Sequence, residues 1–269
     1  MKTASLIAAL LLAMPAAAQA PPRVLKVCAD PNNLPFSNSA REGYENKLAE
    51  LVAGDLGARI EWTWWAQRRG NVRETLNAGL CDLIPGVGSS LEMLGTTAPY
   101  YRSTYVAVTR ADSGLDIDSY DDERLRDLKI GVQLIGDDSS NTPPAHALMR
   151  RGIIDNVRGF MVYGDHEQRD PQAEIVEAVA SGEIDIAFVW GPVGGYFAGR
   201  HEPALAVRPV SPHFDGAQLP MIFDVSMGTR RDDRALREDV EQVLRRRAPE
   251  IRALLSTYRV PLVEEETGR

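Results

Sequence analysis

Aromatic and basic residues lie close together in the stretch WTWWAQRRG. It holds Trp62, Trp64 and Trp65, three of the four tryptophans in the chain, followed by Arg68 and Arg69. A guanidinium pair beside an aromatic plane can bind an anion, a carboxylate or the surface of another protein. The same side chains can instead pack on one another as cation–π pairs with a purely structural role. The residue types leave both interpretations open, so the position of the stretch in the fold has to decide.

A second polar cluster is the stretch GDDSSNTPPAHALMRRG. Asn141 or Thr142 is a good helix N-cap, and Pro143 suits the first helical position. The free backbone N–H groups at such a helix start attract anions. Asp137 and Asp138 crowd the same turn and oppose an anionic ligand unless an arginine or a cation pairs with them.

The acids and bases available for catalysis are few. Asp30, Glu92 and His146 belong to no recognisable catalytic constellation. The stretch GDDSSN is rich in oxygen ligands, but it lacks the spacing and the terminal Glu of a calcium-binding EF-hand loop. We therefore predict a protein that is not an enzyme and has no metal or cofactor of its own.

Composition and the N-terminus indicate an exported globular protein. The 269 residues are 44% hydrophobic and 25% charged, enough for two lobes of ordinary size. Lys2, the apolar stretch LIAALLLAM and the small residues ending at Ala20 form a secretory signal peptide with a cleavage site after Ala20. The alternative, a first helix of the fold, is disfavoured because PPR follows directly. No membrane span is expected in the mature chain.

The acidic charge of the chain excludes one class of partner. The formal net charge is −8 at pH 7, and loss of Lys2 with the signal peptide makes it about −9. Nucleic acid is therefore not an expected partner. A negative net charge favours solubility and attraction of the protein to a basic surface, but it does not identify a partner.

Cys28 and Cys81 are the only two cysteines. The exported compartment permits a disulfide bond, and both residues fall on predicted strands of the same lobe. A single bridge and a pair of buried thiols are equally open interpretations. Metal binding by the pair has less support than either, because no His or further Cys lies nearby in sequence.

The first part of the chain alternates strand-like and helix-like stretches. VLKVCAD, RIEWTWW and CDLIPGV read as strands, and YENKLAELVAGDLG and NVRETLNAGL as helices. Leu48 and Val52 share one face of the first helix, and Val72, Leu76 and Leu80 share one face of the second. Strands separated by helices imply parallel βαβ units with right-handed crossovers.

The pattern repeats in a second lobe. The strand YYRSTYVAVTR leads into the polar stretch 111–128, after which KIGVQ, VRGFMVY and DIAFVWG read as strands, and PPAHALMRRG and PQAEIVEAVASGE as helices. A final amphipathic stretch breaks at Pro249. We predict an α/β protein with a first lobe of residues 21–110 plus 213–269, a second lobe of residues 111–212, and a cleft between them.

Ligand sites in such lobes lie at the carboxyl ends of the parallel strands. The residues that follow the predicted strands should therefore face one cleft, where they would bind a ligand or a partner. These residues are Asp30, Asn32, Asn33, Phe36, Trp65, Gln67, Arg68, Arg69, Gln133, Asp137, Asp138, Asn141, Thr142 and Trp190. Alternation along the strand places Trp62 and Trp64 on one face and Trp65 on the other, so we expect Trp62 in a core and Trp65 at the cleft.

The order of the two lobes resembles the extracellular solute-binding proteins of family 3, the type II periplasmic binding proteins, over nearly all of residues 24–262. Members that bind amino acids carry a Thr-x-x-Arg motif and a Gly-x-x-Asp-Ala-x-x-x-Asp run, which hold the ligand carboxylate and amino group. In the matching stretches GSSLEMLGTTAPYY and GEIDIAFVWGP, Met93 stands near the place of the Arg and Trp190 replaces the second Asp. The resemblance implies the two-lobe fold without the charged clamps for an amino acid.

Five longer stretches are similar to the quinoprotein dehydrogenase-associated branch of that family, the MoxJ and XoxJ type found with methanol oxidation systems. They are VCADPNNLPFSN, GYENKLAELVA, WWAQRRG, IGVQLIGDDSSNTPPAHALMRRG and FVWGPVGGYFA. This resemblance implies a periplasmic accessory protein that assists the maturation or activation of a pyrroloquinoline quinone (PQQ)-dependent methanol or alcohol dehydrogenase, of the calcium or the lanthanide type. It implies no established small-molecule ligand.

Two functions remain open at this point. In the first, the cleft or its rim captures part of the dehydrogenase, with tryptophans as anchors and charged residues setting the register. In the second, the chain is the solute-binding receptor of an ABC transporter for a small molecule that is not an amino acid. A third function, catalysis of the kind found in periplasmic dehydratases, lacks a positioned acid or base.

Overall fold

The structure, a computed structural model, describes residues 23–135, 141–163 and 167–264. The predicted signal peptide with its cleavage site lies outside the described residues, as do the predicted site residues Asp137 and Asp138. No helix within the described ranges is long and apolar enough to cross a membrane.

Strands and helices alternate along most of the chain. The first part contains β1 (Arg23–Ala29), β2 (Asn32–Asn33), β3 (Ser37–Asn38), α1 (Tyr44–Asp55), β4 (Ala58–Trp64), α2 (Asn71–Glu74), β5 (Leu83–Gly88), β6 (Gly95–Thr96) and β7 (Tyr101–Arg110). The second part contains β8 (Ile130–Leu134), α3 (Pro143–Arg150), β9 (Val157–Met161), α4 (Glu174–Ala180), β10 (Ile186–Trp190), α5 (Gly191–Ala198), β11 (Leu205–Pro209), β12 (Phe214–Asp215), β13 (Leu219–Pro220), β14 (Ile222–Thr229), α6 (Arg234–Arg246) and α7 (Ala248–Thr257).

Ten of these strands form one sheet in the order β4-β1-β5-β14-β7-β10-β8-β9, with β6 paired to β14 and β11 paired to β7. β1 is parallel to β4 and β5, and β8 is parallel to β9 and β10. The strands in the middle of the sheet, β7 and β14, are antiparallel to their neighbours. The fold is therefore α/β with two lobes, each containing parallel strands flanked by helices.

β7 and β14 carry the chain between the two lobes. Residues 101–104 of β7 pair with residues 222–225 of β14, and residues 105–110 of β7 pair with β10 and β11. The other half of β14 pairs with β5 and β6. One pair of antiparallel strands thus belongs to both lobes and fixes how their parallel strands face each other.

Apolar clusters cover both faces of each lobe's sheet. In the first lobe, one cluster joins α1, α6 and α7 to the sheet, and a smaller one surrounds Cys28, Leu76 and Ile84. In the second lobe, one cluster lies under α4 and α5 and the other under α3. Buried parallel strands require this arrangement, since an uncovered face would leave apolar surface in water.

The helical patterns of α1, α6 and α7 are confirmed. Leu48 and Val52 of α1 are fully buried, and Asn46 stabilises the start of the helix by accepting the backbone N–H groups of Asn38 and Gly43 at 3.1 Å each. The predicted break at Pro249 is also found, because α7 begins at Ala248 with the proline in its first turn.

The predicted helix in NVRETLNAGL is wrong beyond its first turn. α2 ends at Glu74, and the chain continues in turns through Gly79, which has a left-handed φ of 75°. Val72 and Leu76 still pack in the cluster around Cys81, but Leu80 is exposed. Continuing the helix would carry the chain away from Cys28, to which Cys81 is bonded.

Cys28 and Cys81 form a disulfide bond, with their Cα atoms 5.6 Å apart. The bond joins β1 to the residue two places before β5, and both cysteines are buried. It therefore closes the turn region after α2 onto the sheet. A cross-link of this kind stabilises a fold mainly by restricting the unfolded chain.

Replacing both cysteines with alanine is expected to lower the free energy of unfolding. The bond joins residues that are 53 positions apart in sequence. Closing a loop of that length in the unfolded chain contributes about 4 kcal/mol to the free energy of unfolding. Urea unfolding of the double variant measures the loss of unfolding free energy. The wild type treated with reductant is the control, because it lacks the bond but keeps both sulfur atoms in the core. Coincident unfolding curves for the oxidised and reduced wild type would contradict a stabilising role for the bond.

Candidate functional site

A cavity of about 550 Å³ lies between the two lobes. Its walls come from the carboxyl ends of β5, β8 and β10, from the segments that follow β1 and β4, and from the crossing strands β7 and β14. Convergence at this edge is the consequence of parallel strand order, because all the parallel strands of a lobe end on the same side.

The structure places the predicted site residues in two groups. Six line the cavity, namely Asn33, Phe36, Gln67, Gln133, Thr142 and Trp190. Six further described residues lie outside its lining, namely Asp30, Asn32, Trp65, Arg68, Arg69 and Asn141. The sequence therefore located the cleft, but it did not separate the residues that face the cavity from those beside it.

Asp30 is a structural carboxylate. It is only 2% exposed, and its Oδ1 accepts the backbone N–H of Asn32 at 2.8 Å. Its Oδ2 accepts the backbone N–H of Gln67 at 2.7 Å. Asp30 therefore ties the loop after β1 to the loop after β4, and it fixes the position of Gln67 in the cavity wall.

The tryptophans of WTWWAQRRG divide as strand alternation predicts. Trp62 and Trp64 stack on one face of β4, with ring centroids 5.1 Å apart and planes inclined by 11°. Trp62 is half-buried and packs against the first-lobe core, whereas Trp65 is 43% exposed. β4 is an edge strand, so its residues are covered less completely than the residues of a central strand. The first two tryptophans thus have a packing role, and only Trp65 offers a surface.

The arginines that follow lie beside the main cavity. Arg68 and Arg69 are exposed, and Arg68 lines a second cavity of about 410 Å³. That cavity also contacts Val72 and Met93, and it shares Gln67 with the space between the lobes. Basic and apolar groups therefore meet at the rim of the cleft, and not at its base.

A chain of amide groups crosses the cleft. Gln133 Oε1 accepts the backbone N–H of Trp190 at 2.9 Å, and its Nε2 donates to Gln172 Oε1 at 3.2 Å. Gln172 Nε2 donates to Asn33 Oδ1 at 3.0 Å. At the start of α3, the Thr142 hydroxyl donates to the Gln133 carbonyl at 2.6 Å. Residues of both lobes therefore share one hydrogen-bonded network.

The loop after β1 also enters the second lobe. Leu34 is buried in the cluster formed by residues of α4, α5, β7 and β10, and Phe36 packs against the same cluster. Asn32 Nδ2 donates to the carbonyl oxygen of Gln168 at 2.8 Å. The lobes are therefore joined at a second place besides the crossing strands, and apolar burial stabilises this contact.

Three aromatic rings from different strands form one wall of the cavity. Tyr105 lies edge-on to Trp190 at 5.3 Å and to Phe223 at 6.3 Å, and Trp190 and Phe223 are 5.9 Å apart. Such edge-to-face contacts stabilise a cluster beyond simple burial. The sequence predicted Trp190 here, whereas the other two lie on crossing strands that the strand-end rule does not select.

The charge on the cavity wall is sparse and acidic. No Lys, Arg or His belongs to the described lining, and its two carboxyl groups are those of Glu45 and Asp224. Asp224 accepts hydrogen bonds from Arg102 Nε at 2.6 Å and from Arg102 Nη2 at 2.9 Å. Across the described ranges, no group of three or more His, Cys, Asp or Glu side chains is placed to hold a metal ion.

Glu45, in the first turn of α1, is a further site residue that the sequence did not reveal. Its side chain lines the cavity but is only 3% exposed, and Oε2 accepts no hydrogen bond from any described residue. Burial, with a further contribution from the Asp30 carboxylate, raises the pKa of Glu45 from 4.5 to about 8. The sequence offered little signal for it, because Glu45 stands beside Asn46 and Lys47 in a polar first turn of the helix.

Tyrosines surround the same carboxyl group. Tyr44 and Tyr101 share a hydrogen bond between their hydroxyl oxygens at 2.8 Å, and the Tyr100 hydroxyl donates to the Pro85 carbonyl at 2.9 Å. Burial raises the pKa of all three phenols well above the ordinary value of 10.0. They therefore stay neutral, and Glu45 is the group in this cluster that can change charge near pH 8.

Comparison with known proteins identifies the family. The protein MoxJ of Methylorubrum extorquens is 31% identical to this chain over 251 residues, which cover 89% of this chain and 81% of MoxJ. The chain belongs to the MoxJ family. No model of a known protein family matches the sequence.

Two solved structures show the same architecture. The periplasmic binding protein XoxJ from Methylobacterium extorquens AM1 is 34% identical, with a TM-score of 0.73, over 90% of this chain and 100% of XoxJ. MxaJ from Methlophaga aminisulfidivorans MPT is 27% identical, with a TM-score of 0.74, over 89% of this chain and 100% of MxaJ. The two-lobe fold of a periplasmic binding protein is thereby confirmed for this member of the MoxJ family.

The buried carboxyl of Glu45 should make stability depend on pH. In the folded protein Glu45 keeps its proton up to a pKa of about 8, whereas in the unfolded chain it ionises near 4.5. Between these values the unfolded state releases the proton first, so the free energy of unfolding should fall as pH rises, by up to about 1.4 kcal/mol per pH unit. Below the lower value and above the upper one this contribution should be constant.

The variant Glu45→Gln removes the titrating group at nearly constant shape, so it should lose this component of the pH dependence. Urea unfolding of both proteins between about pH 5 and pH 8 measures the difference. Glu50→Gln, on the outer face of the same helix and paired with Lys47 at 3.5 Å, is the matched control. Parallel pH profiles for the wild type and Glu45→Gln would show that Glu45 is already ionised in the folded protein.

Proposed function

We propose that this member of the MoxJ family is a periplasmic accessory protein of a PQQ-dependent methanol or alcohol dehydrogenase. In this proposal it binds the dehydrogenase and assists its maturation or activation. The similarity to MoxJ and XoxJ, together with the five stretches shared with the quinoprotein dehydrogenase-associated branch, supports the association with methanol oxidation. The dehydrogenase carries the quinone and its metal, and this chain supplies the binding surface.

The observation that carries the proposal is the character of the cleft. Its wall is aromatic and rich in amides, and no basic side chain among the described residues is placed there to hold a ligand carboxylate. Met93, near the place of the family's arginine clamp, is 53% exposed in the neighbouring cavity. Aromatic anchors with amide hydrogen bonds suit a polypeptide segment, whose backbone offers both donors and acceptors.

In this proposal the predicted site residues in the cavity and those at its rim have different roles. Trp190 and the aromatic groups beside it anchor the captured segment, and Asn33 and Gln67 bond to its backbone. Gln133 holds Trp190 in place through the Trp190 backbone N–H. Arg68 and Arg69 meet acidic groups of the dehydrogenase at the rim, next to the exposed Trp65. Rim charges of this kind steer the encounter and set the orientation of the partner more than they add affinity.

Removal of the rim charges should weaken binding without unfolding the protein. The double variant Arg68→Ala and Arg69→Ala is expected to reduce affinity for the dehydrogenase by about five- to tenfold, mainly because association becomes slower. The remaining binding should also depend less on salt concentration. Surface plasmon resonance at two salt concentrations measures both effects. Arg245→Ala, at an arginine on α6 whose side chain is 67% exposed, should leave binding unchanged.

Truncation of the aromatic wall tests the cleft separately. Phe223→Ala removes a ring that is 37% exposed within the cavity, so affinity for the dehydrogenase should fall by about tenfold or more. The same variant should fail to raise the active fraction of dehydrogenase reconstituted with quinone and metal in a dye-linked alcohol oxidation assay. If the wild-type chain neither co-elutes with the dehydrogenase nor raises that fraction, the proposal is wrong and a transporter receptor becomes the function to test.

A further inference from the structure

Glu45 is placed as a recognition group rather than as part of the core. Its carboxyl lies against Gly86 of β5, where a Cβ would come within 1.9 Å of Oε1, so a side chain at position 86 would displace the carboxyl from this place. The group reaches the cavity between the lobes, yet Oε2 is without a hydrogen-bond partner among the described residues. Burial of an unpaired polar group costs stability, which a bound ligand could restore.

Asp30 has the opposite environment in the same lobe. Both of its carboxylate oxygens accept backbone N–H groups, so its charge is stabilised by the protein itself. That fixed charge opposes a second negative charge on Glu45. The pair therefore creates a place where a positive charge would satisfy both carboxyl groups, one by direct contact and the other at longer range.

The rest of the cavity wall accepts a cation and disfavours an anion. An anionic ligand would face Glu45 and Asp224 with no basic side chain in the described lining to compensate. A cation would share the cavity with the ring cluster formed by Tyr105, Trp190 and Phe223, and aromatic rings attract positive charge to their faces. Asp224 is already held by Arg102, so Glu45 is the acid left to pair with a ligand.

We propose that the Glu45 carboxyl binds a positively charged nitrogen, an ammonium or guanidinium group, inside the cleft. The group belongs either to a small amine or to a Lys or Arg side chain of a captured polypeptide, and the chemistry at Glu45 is the same for both. The case of a captured polypeptide rests on the proposed function. It adds that the cleft selects a dehydrogenase segment with a Lys or Arg side chain.

Binding of the cation releases one proton. Glu45 carries this proton in the free protein below a pKa of about 8, and the carboxylate forms when the cation arrives. The groups that interact with it electrostatically are the Asp30 carboxylate and the phenols of Tyr44, Tyr100 and Tyr101. Asp224, which is held by Arg102, lines the same cavity. Affinity for the cation should therefore rise with pH up to about 8 and then level off.

Isothermal titration calorimetry of the purified chain tests the proposal without the dehydrogenase. The probes are benzylammonium with its neutral analogue benzyl alcohol, and the capped tripeptide acetyl-Ala-Lys-Ala-amide with the same peptide carrying norleucine in place of lysine. At least one cationic probe should bind more tightly than its neutral analogue by about tenfold or more. Preference for the lysine peptide identifies a protein segment as the source, and preference for benzylammonium identifies a small amine.

The pH dependence and the variants complete the test. Affinity of the wild type for the cationic probe should increase by up to about tenfold per pH unit between about pH 6 and pH 7.5, with proton release detected in buffers of different ionisation enthalpy. Glu45→Gln should lose the preference for the cation and the pH dependence, and Glu50→Gln should keep both.

Equal binding of charged and neutral probes, an affinity that falls with rising pH, or an unaltered cation preference in Glu45→Gln would overturn the proposal. The pH measurement uses the wild type alone, so it decides the question even if the variant folds poorly. Failure here leaves the association with the dehydrogenase untouched, because that association is measured through Arg68, Arg69 and Phe223.

Discussion

The antiparallel pairing of β7 with β14 is the constraint on which the site depends. Four residues of each strand pair across the middle of the ten-stranded sheet, between Tyr101 and Thr104 on β7 and between Ile222 and Val225 on β14. Because β7 continues into the second lobe and β14 into the first, this pairing sets the separation of the two groups of parallel strands. The cavity lies where those groups end, and the paired strands form its base.

The loop after β1 adds a second connection between the lobes. Leu34 lies in the second-lobe core, and Asn33 is part of the amide network that includes Gln172. In a binding protein whose lobes meet only at crossing strands, closure around a ligand is a hinge motion. Here any such motion has to break an apolar contact and two polar ones, and these contacts favour a preformed cleft. A preformed cleft binds with a smaller loss of conformational freedom.

Two buried acidic residues of the first lobe, Asp30 and Glu45, have different environments. Asp30 is buried with both oxygens bonded to backbone N–H groups, and it holds two loops together. Glu45 is equally buried, its Oε2 accepts no hydrogen bond from any described residue, and its pKa is raised. The contrast arises from the local backbone: two loops turn their N–H groups toward Asp30, whereas Glu45 lies against Gly86 of β5. An acid left unsatisfied in a cleft is an ordinary feature of binding sites, where the ligand supplies the missing partner.

The sequence by itself determined the alternation of the longer strands and helices, the α/β class and the edge of the sheet where the cleft lies. These features follow from local hydrophobic periodicity and from the rule that parallel strands end together, both of which a single chain displays. Strand alternation also predicted Trp62 and Trp64 on the same face of β4, where the two rings stack.

Only the tertiary structure decided which of those residues face the cavity. The helix in NVRETLNAGL stops after one turn because Cys81 bonds to Cys28, a contact between distant positions that helical periodicity cannot register. Asp30 and Glu45 are both acids near apolar stretches, and their opposite roles depend on backbone groups contributed by residues far away in sequence. Hydrogen-bond satisfaction and burial are properties of assembled neighbours, so they appear only once the lobes are in place.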